Sequence, residues 1–285
     1  MFVLAQETIR FEILHQSRIQ HSPLRLAIMN EEIYILCKTD DASDLSLNVR
    51  VYDRNNLSEV KDVIALPEKN LMEIEGCDVS NCVYVLCYAE ELNENSCSVL
   101  RIKRDEENRF NVLPWITDQR KVHSISVLPN GILSVTQCRP VGLRNFDANG
   151  SLVLSADIQG FDRVDRVIQK SNGNLVLAFI GLHKIVLTEI STDGKVLRQY
   201  LSSPQFTVGS VHFVDAYDRI LVADKYGTSI HLLDSELNRL DFASEALFQR
   251  NYRSSCYDSQ KNEIVSSWYG ISEANFITTF RLIEE

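Results

Sequence analysis

Three histidines are the residues best suited to metal chemistry in this sequence. His123 and His212 each lie in a short apolar segment that ends in a turn, and His21 lies at the edge of a third such segment. Three imidazoles are a sufficient ligand set for zinc. When the turns that follow the two segments are aligned, His123 and His212 are out of register with each other, which places the imidazoles at different depths. We therefore interpret the histidines as structural and predict no metal site.

Carboxylates could supply related chemistry with calcium, and Glu73, Glu75 and Asp165 are the candidates. No readable motif pairs them, which favours solvated or salt-bridged roles. The sequence also contains no glycine-rich phosphate loop, no nucleophile elbow and no metalloprotease helix. We predict no catalytic residue and no cofactor, and hence a protein that is not an enzyme.

The composition is that of an acidic globular protein. Among 285 residues, 39 Asp and Glu against 29 Lys and Arg give a net charge of −10, which opposes non-specific binding to nucleic acid or anionic membranes. No segment approaches the roughly 20 apolar residues of a membrane-spanning helix, and the N-terminus lacks the pattern of a secretory signal. Seven cysteines, several of them inside apolar strand-like segments, favour reduced thiols and a cytoplasmic location.

The elements that would position these residues form a repeat. Six β-rich apolar segments start at intervals of 43 to 50 residues. They are Ile33–Cys37, Val83–Cys87, Ile132–Thr136, Leu175–Phe179, Ile220–Asp224 and Ile264–Trp268. Turn signals such as Pro129-Asn130-Gly131 precede most of them, and a further apolar strand follows each. Four short strands per repeat predict an all-β, six-bladed β-propeller of four-stranded antiparallel blades.

The ends of the chain fit a closed ring. We predict one propeller domain over residues 1–285, with blades near residues 23–66, 71–116, 122–158, 164–204, 208–245 and 252–285. The last repeat has only three strands, whereas residues 8–16 alternate in polarity as a strand does. We predict that this N-terminal strand joins the last blade and closes the ring.

The fifth repeat resembles the NHL-repeat family of β-propellers. It contains Val211–Asp215, then Asp-Arg-Ile-Leu-Val-Ala-Asp at Asp218–Asp224, then Ile230–Asp234. The third and fourth repeats match more loosely at Pro129–Ile132 and Ser171–Leu175, and the family's Pro-x-Gly opening and its Asn-x-Arg after Val-Ala-Asp are missing. The resemblance implies an NHL propeller similar to the C-terminal propellers of tripartite-motif proteins, which recognise substrates or bind RNA.

One face of such a ring carries the connections between the second and third strands of each blade, together with those between blades. We call this the loop face. Its acidic residues are predicted on the first two blades, at Asp40, Asp41, Asp44, Glu90, Glu91 and Glu94. Its basic and aromatic residues are Arg120, Lys121, Arg139, Arg163, Arg166, Phe179, Tyr226, Trp268 and Tyr269. Arginine and aromatic anchors dominate protein interfaces, so we predict that this second set contacts a partner. The alternatives are a soluble surface with scattered charge and, for Trp268, packing between blades.

The leading hypothesis is a non-catalytic scaffold that recognises a protein partner through the loop face, as the substrate-recognition domain of a longer protein. An alternative is binding of single-stranded RNA, which needs a continuous basic track with stacking aromatics. The net acidity and the short extent of the basic cluster disfavour RNA. A metal-dependent propeller hydrolase or lyase is a less favoured alternative.

Overall fold

Short apolar strands and tight turns account for nearly all of the regular structure. The computed structural model describes residues 9–19, 22–38, 47–67, 70–88, 97–118, 122–138, 140–159, 161–180, 185–201, 208–213, 217–224, 230–240, 251–258, 260–269 and 275–284. These residues form 24 strands in six four-stranded antiparallel sheets and contain no α-helix. Within the same ranges, no helix has the length and apolar character needed to cross a membrane.

Each sheet is one blade, and its strands are ordered from the inner to the outer edge. The outer strand of blade 6 is β1 (Ile9–Ile19). Blade 1 contains β2 (Pro23–Met29), β3 (Glu32–Lys38), β4 (Leu47–Asp53) and β5 (Asn56–Ala65), and blade 2 contains β6 (Asn70–Cys77), β7 (Cys82–Tyr88), β8 (Cys97–Arg104) and β9 (Phe110–Asp118). Blade 3 contains β10 (Val122–Val127), β11 (Leu133–Gln137), β12 (Gly142–Phe146) and β13 (Leu152–Asp157), and blade 4 contains β14 (Arg166–Gln169), β15 (Leu175–Ile180), β16 (Ile185–Ile190) and β17 (Val196–Leu201). Blade 5 contains β18 (Val208–Phe213), β19 (Ile220–Asp224), β20 (Ile230–Leu233) and β21 (Arg239–Leu240), and blade 6 adds β22 (Asn251–Asp258), β23 (Glu263–Tyr269) and β24 (Asn275–Glu284).

The six blades form a ring around a central channel. The inner strands contact one another in order, from β2 through β6, β10, β14, β18 and β22 and back to β2. At the closure, β1 pairs with β24 from Ile9 opposite Glu284 to Ile19 opposite Asn275. The six-bladed propeller and its closure by the N-terminal strand are therefore confirmed.

The core lies between neighbouring blades. Tyr34 of blade 1 and Val83 and Val85 of blade 2 are fully buried in one cluster, whereas Tyr84 of the same strand of blade 2 is fully buried against blade 3. Alternate residues of a strand point to opposite faces, and here each face meets a neighbouring blade. This is why segments such as Ile33–Cys37 are apolar at every position.

The turns between the third and outer strands share one design. In blade 3 the Gly150 amide donates to the carbonyl of Asp147 at 3.0 Å, and the Asp147 carboxylate accepts the amides of Asn149 and Ser151 at 2.9 Å. Gly150 has a φ of +82°, which glycine adopts without steric cost. In blade 5, Asp234 caps the equivalent turn. The Asp, Asn and Gly residues of the sequence thus fix these hairpins.

A buried ion-pair network joins the first and last blades. Arg54, between β4 and β5, pairs with Asp258 of β22 and Glu263 of β23, and the three side chains are 4%, 7% and 8% exposed. Arg281 of β24 also pairs with Glu263, at 2.6 Å. The network ties blade 1 to blade 6 where the ring closes.

Candidate functional site

Five ionisable side chains on or beside the inner strands of blades 2, 3 and 4 form two groups. One group is Glu73, Glu75 and Arg166, and the other is His123 and Asp165. We call the two groups together the channel cluster. Glu73 and Glu75 are two residues apart on β6, so both side chains lie on the same face of that strand. His123 lies near the start of β10, and Asp165 directly precedes β14. The cluster therefore depends on three inner strands that are distant in sequence.

An ion pair between Arg166 of blade 4 and Glu75 of blade 2 joins two blades that are not neighbours in the ring. Both terminal guanidinium nitrogens of Arg166 donate to the Glu75 carboxylate, with Nη2 at 3.2 Å from Oε2. The two side chains are only 26% and 15% exposed. A bidentate, charge-assisted pair that is largely shielded from solvent holds both side chains in a fixed geometry.

The carboxyl of Glu73 lies beside this pair. Its Oε2 accepts the amide N–H of Ile125 at 2.8 Å. Burial raises the pKa of Glu73 above its ordinary value, although the Ile125 amide and the Arg166 charge oppose the shift. Burial raises the pKa of Glu75 in the same way, against the opposing charge of Arg166. Burial at these two positions therefore favours the protonated forms of Glu73 and Glu75.

A chain of hydrogen bonds leads from the channel to the loop face. His123 Nε2 lies 2.7 Å from Asp165 Oδ1, and since a carboxylate only accepts, the Nε2–H donates. Arg163 Nε donates to Asp165 Oδ2 at 3.2 Å, and the Ser124 hydroxyl donates to the Asp165 carbonyl at 2.6 Å. The Arg163 guanidinium lies 5.4 Å from the ring centroid of Phe179. Asp165 thus fixes both His123 on the channel side and Arg163 on the loop face.

The described residues include only part of the predicted contact set. Arg163 and Phe179 are brought together, and the Arg163 side chain is 40% exposed. Arg166 extends into the channel to Glu75. Outside the described residues lie Arg120, Lys121, Arg139, Tyr226 and the six acidic loop residues. For Trp268 and Tyr269, the backbone belongs to β23 and the side chains are outside the description.

The channel opens into a cavity of about 420 Å³ at the other end of the ring. That end carries the turns between the inner and second strands and those between the third and outer strands, and we call it the turn face. The cavity is lined by the ends of inner strands from blades 1, 2, 3, 4 and 6, and its lining includes Glu75 and Arg166. The sequence did not indicate it because its lining residues come from five blades that are far apart in the chain.

Metal binding receives no support from the described side chains. Among them, no group of three or more His, Cys, Asp and Glu residues is arranged to hold a metal ion. His21 and the side chain of His212 fall outside the description. Within the channel cluster, Glu75 pairs with Arg166, and Asp165 pairs with His123 and Arg163.

Comparisons with known proteins show the fold. No family model matches the sequence, the NHL family included, and no curated protein matches it. Selenomethionine-substituted virginiamycin B lyase from Staphylococcus aureus is similar, with 11% identity and a TM-score of 0.54 over 96% of this chain and 100% of that chain. A catalytically inactive variant of that lyase, determined with quinupristin, gives 11% identity and a TM-score of 0.55 over the same shares. A protein of unknown function from Bacteroides caccae gives 14% identity and a TM-score of 0.54 over 79% of this chain and 80% of that one.

These neighbours correct one prediction from the sequence. The sequence predicts a protein that is not an enzyme because no catalytic motif is readable, but an enzyme, virginiamycin B lyase, shares the architecture over 96% of this chain. The channel cluster consists of side chains from three blades, and such an arrangement leaves no local motif in the sequence. The exclusion of chemistry is therefore wrong, while the fold is also consistent with a binding scaffold.

Proposed function

We propose that this propeller recognises a protein partner through its loop face, with Arg163 as a central anchor. The observation that carries the proposal is the way Arg163 is held. Its guanidinium is fixed by Asp165 on one side and lies over Phe179 on the other, yet 40% of the side chain remains exposed. An arginine that is ordered before binding loses little conformational entropy when a partner docks.

The proposed partner surface also includes the other basic and aromatic residues that the sequence predicts for the loop face. Arg120, Lys121 and Arg139 lie outside the described residues, and they enter the proposal as the sequence predicts them for this face. Tyr226, Trp268 and Tyr269 would add aromatic contacts, and the acidic residues of blades 1 and 2 would make the face bipolar. A partner with an acidic patch opposite blades 3 and 4 fits this charge pattern best.

The proposal is tested by affinity capture with three baits, which are the parent protein, Arg163→Ala and Arg109→Ala. Arg109 is a matched control because it is an exposed arginine in a turn-face hairpin. We expect a protein that the parent and Arg109→Ala retain and that Arg163→Ala loses, with a cost of about 2 kcal/mol in its affinity. Equal retention by all three baits would place the contact elsewhere.

Nuclease treatment separates a protein partner from the RNA alternative. The NHL resemblance of the fifth repeat keeps single-stranded RNA as a candidate ligand. If RNA bridges the captured material, nuclease removes it, and affinity falls steeply with salt. We expect capture to be unaffected by nuclease, because the net charge of −10 opposes a sequence-independent attraction to phosphate.

A second candidate function is chemistry on a small molecule in the channel, favoured by the pairing of His123 with Asp165. A lyase reaction requires a base that removes a proton, and an imidazole oriented by a carboxylate is suited to that role. The neighbour that is a lyase was determined with quinupristin, which makes this compound a first test substrate.

Chromatography of quinupristin after incubation with the protein tests this second function. We expect product with the parent protein and with His15→Ala, and none with His123→Ala. His15 is the control because it is an exposed histidine on the outer strand β1. The absence of product with the parent would rule out this substrate, and product with His123→Ala would rule out His123 as the base.

A further inference from the structure

The cavity at the turn face is independent of the proposed partner surface. It lies at the opposite end of the channel from Arg163 and has a volume of about 420 Å³, within the range of small-molecule sites. Its wall comes from inner strands of five blades, so its shape is set by the ring itself rather than by one loop. A site built on such strands is largely formed before a ligand arrives.

The lining combines an apolar wall with a charged floor. Ile28, Val127, Leu128 and Ile168 supply hydrocarbon surface from blades 1, 3 and 4. The Glu75 carboxylate, with its bidentate arginine, lies among them. A ligand that fills this space needs an apolar body and one polar group directed at the floor.

The charge of that polar group follows from the charged residues in the cavity lining. The described lining contains three carboxylates, Glu75, Asp78 and Asp258, and one guanidinium, that of Arg166. Asp258 is compensated by Arg54, which lies outside the lining. Among the described residues, Asp78 accepts hydrogen bonds from uncharged donors, the Asn30 amide at 2.8 Å and the Gln260 side chain at 3.4 Å. The cavity is therefore more favourable for a cation than for an anion.

The Glu75 carboxylate has the capacity to accept a ligand. Arg166 donates one hydrogen bond to each oxygen, whereas a carboxylate offers about four acceptor positions. A protonated amine is the cation that matches this need, because it carries up to three donors on a compact charge. We propose that the turn-face cavity binds a small organic amine, with the ammonium group at Glu75 and the apolar body against Ile28, Val127 and Ile168.

Methyl NMR with defined probes tests the site without knowledge of the natural ligand. The probes are 2-phenylethylamine, 3-phenylpropionate and 2-phenylethanol, which share a ring and differ in charge. With isoleucine δ1-methyl labelling, we expect saturable shifts at Ile28 and Ile168, which are assigned from Ile28→Val and Ile168→Val. We expect no shift at Ile13, which is exposed on the outer strand β1. The amine should bind about tenfold more tightly than the carboxylate.

Two variants test the role of charge. Glu75→Gln should remove the preference for the amine, since it leaves Arg166 as the charge at the floor. Asp78→Asn keeps the acceptor for the Asn30 amide and should weaken amine binding several-fold while leaving 2-phenylethanol unchanged, which provides a readout if Glu75→Gln fails to fold. The proposal is overturned if the amine causes no shift at Ile28 and Ile168 at about 10 mM, if the carboxylate binds equally well, or if neither variant alters the preference.

Discussion

Removal of Arg54 should show how strongly the ring depends on its closure between blades 1 and 6. The Arg54 side chain is 4% exposed, and its two acidic partners belong to different strands of blade 6. Arg54→Met keeps most of the apolar stem but leaves Asp258 buried without its guanidinium. Glu263 would retain Arg281. Breaking one side of a buried ion pair costs about 3 kcal/mol or more.

Urea unfolding of matched variants measures this cost. Arg109→Met is the control, because Arg109 is 70% exposed and pairs with acids at the surface, where an ion pair contributes about 1 kcal/mol or less. The triple variant Arg54→Met/Asp258→Asn/Glu263→Gln also removes the buried carboxylate charges that lose Arg54. It should therefore recover part of the unfolding free energy that Arg54→Met loses. If Arg54→Met costs no more than Arg109→Met, the network does not hold the closure.

Three further predictions concern the closing strand, a turn and the channel. Deletion of residues 1–16 should lower the melting temperature by exposing the edge of β24, and an unchanged melting temperature would contradict the closure. Gly131→Ala should cost about 1–2 kcal/mol in urea unfolding, because Gly131 has a φ of +78° and a Cβ would lie 2.8 Å from Val79, whereas Gly142→Ala meets no atom closer than 3.5 Å and should be nearly neutral. Burial raises the pKa of Glu73 in the folded state, so its contribution to stability is present below its unfolded pKa of 4.5 and is lost as pH rises through the raised value. In urea unfolding at stepped pH, the free energy of unfolding of Glu73→Gln should therefore fall less than that of the parent as pH rises above 4.5. Parallel curves of unfolding free energy against pH would refute the raised pKa of Glu73.

The fold could be predicted from local sequence because each blade repeats the same physical solution. Segments such as Val83–Cys87 are apolar at every position, which requires a strand that is buried on both faces. Turn residues such as Asp147 and Gly150 mark the hairpins. The alternating N-terminal segment had no partner in a linear array, and its pairing with β24 follows from the closed ring.

The site was less predictable because its contacts cross the channel. Glu75 and Arg166 are far apart in sequence, and their pairing depends on the channel width and on the length of the arginine side chain. The sequence indicated a salt-bridged role for Glu75 but could not name its partner. Arg163 and Phe179 were predicted for the same face, since both lie where strands of blade 4 begin or end, and they do contact each other. The turn-face cavity carried no signal in the sequence, because its apolar and charged lining residues come from five blades and lie far apart in the chain.

Hydrogen–deuterium exchange of the complex with the captured partner tests the loop-face proposal most directly. Peptides that cover residues 161–166 and 175–180, which include Arg163 and Phe179, should exchange more slowly in the complex than in the free protein. Peptides that cover the turn-face hairpins at residues 105–109 and 147–151 should exchange at the same rate in both states. Protection of those hairpins without protection around Arg163 would contradict the account and place the partner on the opposite end of the ring.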